Sequence, residues 1–294
     1  MARCLITGHK GYIGSRLYSK LQELGHEVVG IDLKDMVLHD VREVLREDTD
    51  GKFHPHYYHF QPEYIFHLAC FPRVGYSIDH PVMTAENNII AGTVLLNFAN
   101  KVGSVKRVIY SSSSSVKGNG DGPISPYALQ KYTTEQECRI YADIYGVDTV
   151  SLRYFNVYSA DQPADGPYAT AISNWMKAIR NDINPFITGT GEQRRDMVHV
   201  DDAVSANIFC MDYSDRFDGE VFEIGTGKNI SLNQVKEIVL EYFPDVEFEY
   251  RPPRLGDVEE TLANLEAATT YGWHPSISLR MGIRECFERL QNEQ

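Results

Sequence analysis

An apolar run leading into three evenly spaced glycines opens the chain: Cys4-Leu-Ile-Thr-Gly8-His-Lys-Gly11-Tyr-Ile-Gly14. No other feature limits the possible folds as sharply. Leu17, Leu21 and Leu24 follow at helical spacing, so the segment predicts a buried strand, a tight turn and a helix. In such a turn the glycines permit the reversal, let an anion approach the backbone, and allow the helix to pack closely on the strand. The N-terminus of that helix, with its unsatisfied amides and positive dipole end, suits a pyrophosphate. A second strand, Glu27-Val-Val-Gly-Ile-Asp32, ends in an acid eighteen residues after Gly14. A carboxylate there can bind the diol of an adenosine ribose and would repel a 2′-phosphate. No arginine follows it directly, which favours NAD over NADP, although Lys34 stands two residues on. A mere glycine-rich surface turn would not be flanked, in order, by strand, helix, strand and acid.

Strand and helix patterns alternate up to about residue 160. Strands are predicted at Arg3–Thr7, Glu27–Ile31, Tyr64–Leu68, Val105–Ser111 and Thr149–Arg153, with helices between them, notably Thr84–Val102 and Pro126–Tyr145. That alternation implies an α/β doubly wound parallel sheet. Ligands of such sheets bind at the carboxyl ends of the strands. After Asn156 the pattern breaks into loops, with a helix near Tyr168–Arg180, and Val198–Met211 with Val221–Ile224 reads as a return to the sheet. A helix at Leu232–Tyr242, a strand at Glu247–Tyr250 and a last helix at Leu279–Leu290 complete the chain. The expected organisation is a cofactor domain of residues 1–154 plus about 196–228, and a smaller, discontinuous substrate domain of about 155–195 plus 229–294.

Tyr127 and Lys131 lie four apart in Pro126-Tyr-Ala-Leu-Gln-Lys131, downstream of the serine run Ser111 to Ser115. Residues i and i+4 share a helix face, so the ammonium can sit beside the phenol. A neighbouring cation favours phenolate and draws the tyrosine down from its ordinary value of about 10. A serine hydroxyl on an adjacent loop could hold the same substrate oxygen. These are the parts of a proton-transfer site for carbinol oxidation.

The glycines in Gly-x-x-Gly-x-x-Gly spacing, the serine loop and Tyr127/Lys131 together resemble the extended short-chain dehydrogenase/reductase family, and within it the NAD-dependent nucleotide-sugar epimerases and dehydratases. Further matches are Asp40-Val41, Phe66-His67-Leu68-Ala69, Ser111 to Gly118, Arg153-Tyr-Phe-Asn156-Val-Tyr158, Gly191-Glu-Gln-Arg-Arg195-Asp196, Val200-Asp-Asp202 and Arg254-Leu-Gly-Asp257. The resemblance implies a Rossmann sheet that holds NAD with Gly8, Gly11, Tyr12, Ile13, Gly14, Asp32, Asp40, Val41, Leu68, Ala69, Tyr127 and Lys131. It implies Ser113, Tyr127 and Lys131 as the catalytic residues. Ser113 is chosen because it stands three residues before Val116 of Val-Lys-Gly, where relatives have Val-Tyr-Gly; Ser112 and Ser114 would point away in extended backbone.

For a nucleotide-diphospho-sugar substrate, the resemblance implies Ser113 and Asn156, Arg195 and Arg254 about the diphosphate, Asp257 near the nucleotide ribose, and Thr261 beside C2 of the sugar. Two guanidinium forks are what a pyrophosphate calls for. Arg194, adjacent to Arg195, is the nearest competitor for that role. Relatives that eliminate water or decarboxylate carry an Asp-Glu pair or a Glu just after the catalytic Ser/Thr. Here those positions are Ser114 and Ser115, and neither can act as a general acid near neutral pH. The reading is therefore 4-epimerisation through a transient 4-keto sugar. The alternatives are a nucleotide-sugar oxidoreductase or dehydratase, or a non-catalytic protein that senses NAD or nucleotide. Asn88 stands four residues before Gly92, whereas relatives place an Asn three before Gly-Thr, and no cofactor role is carried onto it. The Thr84–Val102 and Pro126–Tyr145 helices resemble the pair that forms a four-helix dimer interface, with Ile89, Leu96, Ile140 and Ile144 as candidate apolar contacts; a homodimer is expected.

A net charge of -13 disfavours nucleic acid and anionic membranes as partners. No apolar stretch approaches the roughly twenty residues of a membrane span, and the first residues read as a buried strand rather than a signal peptide. Five cysteines without Cys-x-x-Cys spacing suit a reducing cytoplasm. His54, His56 and His59 flank Pro55 without cysteine or acidic partners, so no metal is expected and the segment reads as a loop. His67 reads as a core residue beside the cofactor, not a general base.

Overall fold

Apolar on both faces, the strand β1 (Arg3–Thr7) can be stable only at the centre of a sheet covered on both sides. In the computed structural model, which describes residues 1–35, 39–165, 169–253 and 259–293, Cys4, Leu5 and Ile6 are wholly buried. β1 pairs in parallel with β2 (Glu27–Ile31) on one side and β3 (Tyr64–His67) on the other, and β3 pairs in parallel with β4 (Arg107–Ser113). With β5 (Thr149–Tyr154) and a last strand at Glu220–Ile224, the order is β2-β1-β3-β4-β5 and then Glu220–Ile224. The winding direction reverses between β1 and β3, which makes the sheet doubly wound and opens a crevice at the carboxyl ends of those two strands. Thr7 faces Ile31 and His67 in register there.

The chain divides into two compact units, Met1–Arg153 with Val204–Phe222, and Tyr154–Ala203 with Glu223–Gln294. In the first, Leu5, Ile31, Ile65, Leu95, Leu96, Phe98, Val102 and Val108 share one core. Leu96, a candidate dimer contact by sequence, thus faces the sheet at 1% exposure, whereas Ile140 and Ile144 are 48% and 70% exposed. In the second unit Tyr158, Trp175, Ile187, Val235, Ile238, Ile283 and Phe287 form the core. Its strands make a pair, Phe186–Thr188 with Glu249–Arg251, and a triplet of Glu260–Thr261, Arg194–Asp196 and Asn229–Ser231.

Local signals set most boundaries. The Pro126–Tyr145 helix has the predicted limits: Ser125 Oγ accepts from the Ala128 amide at 3.2 Å, Pro126 opens the first turn, and Gly146 ends the helix at φ +71. Two expectations need correction. The histidine-rich segment is a short helix, Pro55–Phe60, because Pro55 is preset for the first turn and Tyr57 anchors it in the core. The Thr84–Val102 helix is interrupted by a π turn at Glu86–Ile90, between α segments Pro81–Ala85 and Ala91–Val102.

Arg107, at the start of β4, fastens the returning segment to the sheet. Its Nε donates to Asp148 Oδ2 at 2.6 Å, and its terminal nitrogens donate to the carbonyls of Cys210, Tyr213 (3.0 Å) and Asp215 (2.5 Å). The guanidinium lies 4.4 Å from the centre of the Phe217 ring. Asp148 also accepts from the amides of Phe217 (2.8 Å) and Asp218 (3.1 Å). Removing one member of a buried, hydrogen-bonded pair leaves the other charge uncompensated and costs about 3–5 kcal/mol. Arg107→Met is therefore expected to lower unfolding free energy by about that amount in urea titrations; a loss below about 1 kcal/mol would show that the cluster does not hold the segment.

Candidate active site

Steric demand explains two of the glycines at the end of β1. Gly8 has φ +75, and a Cβ on it would stand 2.8 Å from the Ala69 amide nitrogen; one on Gly14 would stand 2.1 Å from the Gly8 carbonyl oxygen. Turn, helix and the end of β3 can approach only because both side chains are missing. Gly11 caps the Tyr12–Glu23 helix in extended conformation, and no side chain caps that end. Tyr12 and Ile13 open this helix, and the Gly8 and Gly14 approaches bring its first turn against the ends of β1 and β3.

Asp32 lies beside this loop. Its carboxylate accepts from the amides of Lys10 (3.0 Å) and Lys34 (2.9 Å), which fix its orientation. Lys34 Nζ donates to the Lys10 carbonyl at 3.2 Å. Asp40 caps the Val41–Val44 helix and is gripped by the Arg42 guanidinium, with Nε contacts of 3.0 and 3.1 Å. Partial burial works to raise the Asp40 carboxyl, but the Arg42 bonds outweigh it and hold the group below its ordinary value. The Val41 side chain is in the core.

At the end of β3, the amides of Leu68 and Ala69 donate to Thr7, to its carbonyl at 3.1 Å and its Oγ1 at 3.2 Å. The same hydroxyl meets His67 Nδ1 at 2.7 Å. Burial, and then the nearby Lys131 ammonium, push His67 down to about 3, so it is neutral and unsuited to take a proton at physiological pH.

The serine run splits by strand alternation. Ser112 Oγ turns to Glu135, which Arg153 holds through bonds of 2.8 and 2.7 Å. Ser113, the last residue of β4, points the other way; its Oγ accepts from the Ser115 amide at 3.2 Å and lies 2.9 Å from Ser115 Oγ. Tyr127 and Lys131 share the buried face of their helix. Lys131 Nζ donates to the Ser111 carbonyl at 2.6 Å and lies 6.0 Å from the Tyr127 ring centre and 5.0 Å from that of Tyr110. A buried ammonium fixed within reach of a phenol can stabilise its ionised form.

In the second unit, Asn156 adopts φ +38 and donates to the Asp196 carbonyl (2.7 Å) and Thr261 Oγ1 (3.4 Å). Thr261 Oγ1 also accepts from the Asp196 amide at 3.2 Å, so its hydroxyl oxygen braces this corner. Arg195 is in register with Thr261. Arg194 is committed to Asn229, at 2.8 Å to the side-chain oxygen and 3.1 Å to the carbonyl. The sequence reading missed the role of Asp196 here. Its wholly buried carboxylate accepts from Thr226 (amide 2.8 Å, hydroxyl 2.7 Å), Gly227 (3.0 Å) and Ala263 (3.1 Å), and burial still pushes its pKa up. Its place beside Arg195 was the only sequence signal. Arg254 and Asp257 lie outside the described residues.

Comparison with known proteins carries the same pattern. The family model described as the NAD dependent epimerase/dehydratase family matches residues 4–225. The UDP-glucose 4-epimerase of Mycolicibacterium smegmatis is 33% identical over 99% of each chain. The crystal structure of the Thermotoga maritima UDP-glucose 4-epimerase with UDP-glucose superposes with a TM-score of 0.87, at 33% identity and 99% coverage of both chains. The Thermus thermophilus UDP-glucose 4-epimerase in complex with NAD gives 0.84 at 25% identity, over 99% of this chain and 100% of that one. With a glycine cradle at the sheet's switch point, a tyrosine–lysine pair behind a serine, and likeness along nearly the whole chain, this protein belongs to the NAD dependent epimerase/dehydratase family.

Proposed function

We propose that the chain catalyses NAD-dependent 4-epimerisation of a nucleotide-diphospho-sugar. The observation that carries this reading is the grouping at the end of β4. Ser113 closes the strand, Tyr127 and Lys131 lie on the buried face of the following helix, and Ser114 and Ser115 stand where elimination chemistry would need acids. Proton transfer at one carbinol is equipped; a second acid–base event is not.

Gly8, Gly11, Tyr12, Ile13 and Gly14 would hold the pyrophosphate of NAD, Asp32 its adenosine ribose, Asp40 and Val41 the adenine side, and Leu68 and Ala69 the segment beyond. Bound NAD supplies the acceptor and donor for the C4 hydride. Tyr127 Oη takes the proton of the 4-hydroxyl as a carbonyl forms at C4, and Ser113 Oγ holds that oxygen in place. Lys131 would stabilise the phenolate by its charge and would hold the nicotinamide ribose. The 4-keto sugar then presents its other face, the same proton returns from Tyr127, and no net redox change results. Asn156, Arg195 and Arg254 hold the diphosphate, Asp257 the nucleotide ribose, and Thr261 the C2 side of the sugar.

The active form we infer is a cytoplasmic homodimer. Val82, Ile90, Leu129, Ile140 and Ile144 leave an exposed apolar face on two neighbouring helices, and all five cysteines are free. Among the described residues no helix is long and apolar enough to cross a membrane.

Incubation with UDP-, dTDP-, GDP- and CDP-sugars is expected to give C4 inversion by proton NMR without steady build-up of reduced cofactor; such build-up would instead favour an oxidoreductase. Tyr127→Phe should lower turnover by about 100-fold or more while NAD still binds, and a variant keeping over a tenth of the activity would remove Tyr127 from its role. NAD should bind at least about tenfold more tightly than NADP, roughly 1.4 kcal/mol, by calorimetry. Asp32→Ala should narrow that gap, and equal affinities in the wild type would show that Asp32 does not read the ribose. Sedimentation at micromolar concentration should give a dimer mass that Ile144→Lys shifts toward monomer; a monomeric wild type refutes the interface.

A further inference from the structure

Two hydrogen bonds reach the side-chain oxygen of Ser113, and both come from Ser115. The Ser115 amide donates at 3.2 Å and the Ser115 hydroxyl at 2.9 Å. A hydroxyl oxygen has two lone pairs and one hydrogen. With both lone pairs of Ser113 taken, its O–H is the only group that it can offer to a substrate.

The turn that carries Ser115 is fixed on several sides. It is a single 3-10 turn, Ser114–Lys117, anchored in the core by the buried Val116. The Ser115 carbonyl accepts from the Gly118 amide at 3.1 Å. Gly118 adopts φ +54, and a Cβ on it would stand 2.0 Å from the Gly122 carbonyl oxygen, so the loop doubles back on itself there. The Lys117 carbonyl completes the closure by accepting from the amides of Gly120 (2.9 Å) and Gly122 (3.3 Å). Ser115 thus has little freedom to follow its neighbour, and it is Ser113 that is oriented.

As C4 is oxidised, its hydroxyl gives up a proton and its oxygen gathers negative charge. A donor aimed at that oxygen stabilises the charge, whereas an acceptor would compete for the proton. A Ser113 free to rotate could do either. We propose that Ser115 is a positioning residue that makes Ser113 a donor only. The O4–H bond then breaks as Tyr127 Oη–H forms, with no serine in between, and the proton returns by the same route; bound NAD remains the acceptor of the C4 hydride. This role rests on the epimerase reading. It gives the second residue after Ser113 a task of its own: where elimination would need an acid, a hydroxyl saturates the oxygen of the serine before it.

The test is a double-mutant cycle on the NAD-loaded enzyme, read as kcat and KM for whichever of the UDP-, dTDP-, GDP- and CDP-sugars the wild type inverts. Ser115→Ala should lower kcat about fivefold or more with KM within about twofold, the mark of an interaction made only in the transition state. Ser115→Thr keeps the hydroxyl and should stay within about threefold of wild type in kcat. Ser113→Ala removes a donor from the developing charge and should cost about 100-fold. In that background Ser115→Ala should change kcat by less than about twofold. If Ser115→Ala does not fold, Ser115→Cys, whose thiol is a weak donor, replaces it in the cycle with the same expectations. Equal losses from Ser115→Ala with and without Ser113 overturn the role, because Ser115 would then touch the sugar itself or only hold the turn. A KM that rises in parallel, or a threonine variant as poor as the alanine one, also overturns it. A wild type that binds NAD but inverts none of the sugars removes the epimerase reading and this role with it.

Discussion

The missing side chain at Gly8 is the constraint on which the first unit depends. With any Cβ there, the turn after β1 would collide with the backbone at Ala69, and β1 and β3 could not end side by side. Gly14 meets the same demand one layer out, against the Gly8 carbonyl. Once those approaches are made, the rest follows from hydrogen bonds of ordinary strength. Thr7 collects the amides of Leu68 and Ala69, His67 closes on Thr7, and Lys131 reaches across to the Ser111 carbonyl. The proposed cofactor site thus lies at adjacent strand ends of one sheet, and Lys131 of the proposed proton-transfer pair is tied to β4 through the Ser111 carbonyl.

Charge is handled in two ways along the buried face of the Tyr127 helix. Lys131 is buried, held by a carbonyl and ring faces, so its field falls on its immediate neighbours with little screening. Four residues on, Glu135 is also buried, but Arg153 takes both its oxygens. The helix therefore carries a carboxylate neutralised by Arg153 of β5 and a cation held by a carbonyl and ring faces. Burial, and then that same cation, keep His67 neutral, which prevents it from competing as a base.

Much of this was legible in the chain because the relevant signals are local. Arg3–Thr7, Glu27–Ile31 and Pro126–Tyr145 have the limits that their apolar runs, caps and glycines imply. Alternation along β4 separated Ser113 from Ser112, and the structure sends Ser112 to Glu135. The misses share a cause in long-range contact. Leu96 lies in the single apolar stripe of its helix, opposite Thr93, Asn97, Asn100 and Lys101, and periodicity alone does not say whether such a stripe meets the sheet or a second copy. Nothing local announces a π turn, where Asn88 meets Phe71 and Gln130 and Gly92 meets Thr134. In the second unit Asp196 joins residues thirty and more positions away, and such a hub has no periodic signature.

The discontinuous first unit has a consequence for how the chain is made. β5 is bounded by β4 on one side and by Glu220–Ile224 on the other. A nascent chain that has emerged only as far as β5 therefore presents an unpaired strand edge, a template for wrong pairing and aggregation. That edge stays open while the whole Tyr154–Ala203 stretch leaves the ribosome, until residues near 220 arrive and Arg107 can gather the carbonyls of Cys210, Tyr213 and Asp215. Closing so long a loop adds only modestly to the entropic cost, but the wait is long on the timescale of collapse. The most exposed moment in this protein's life is thus the pause in synthesis between two strands that finally lie side by side.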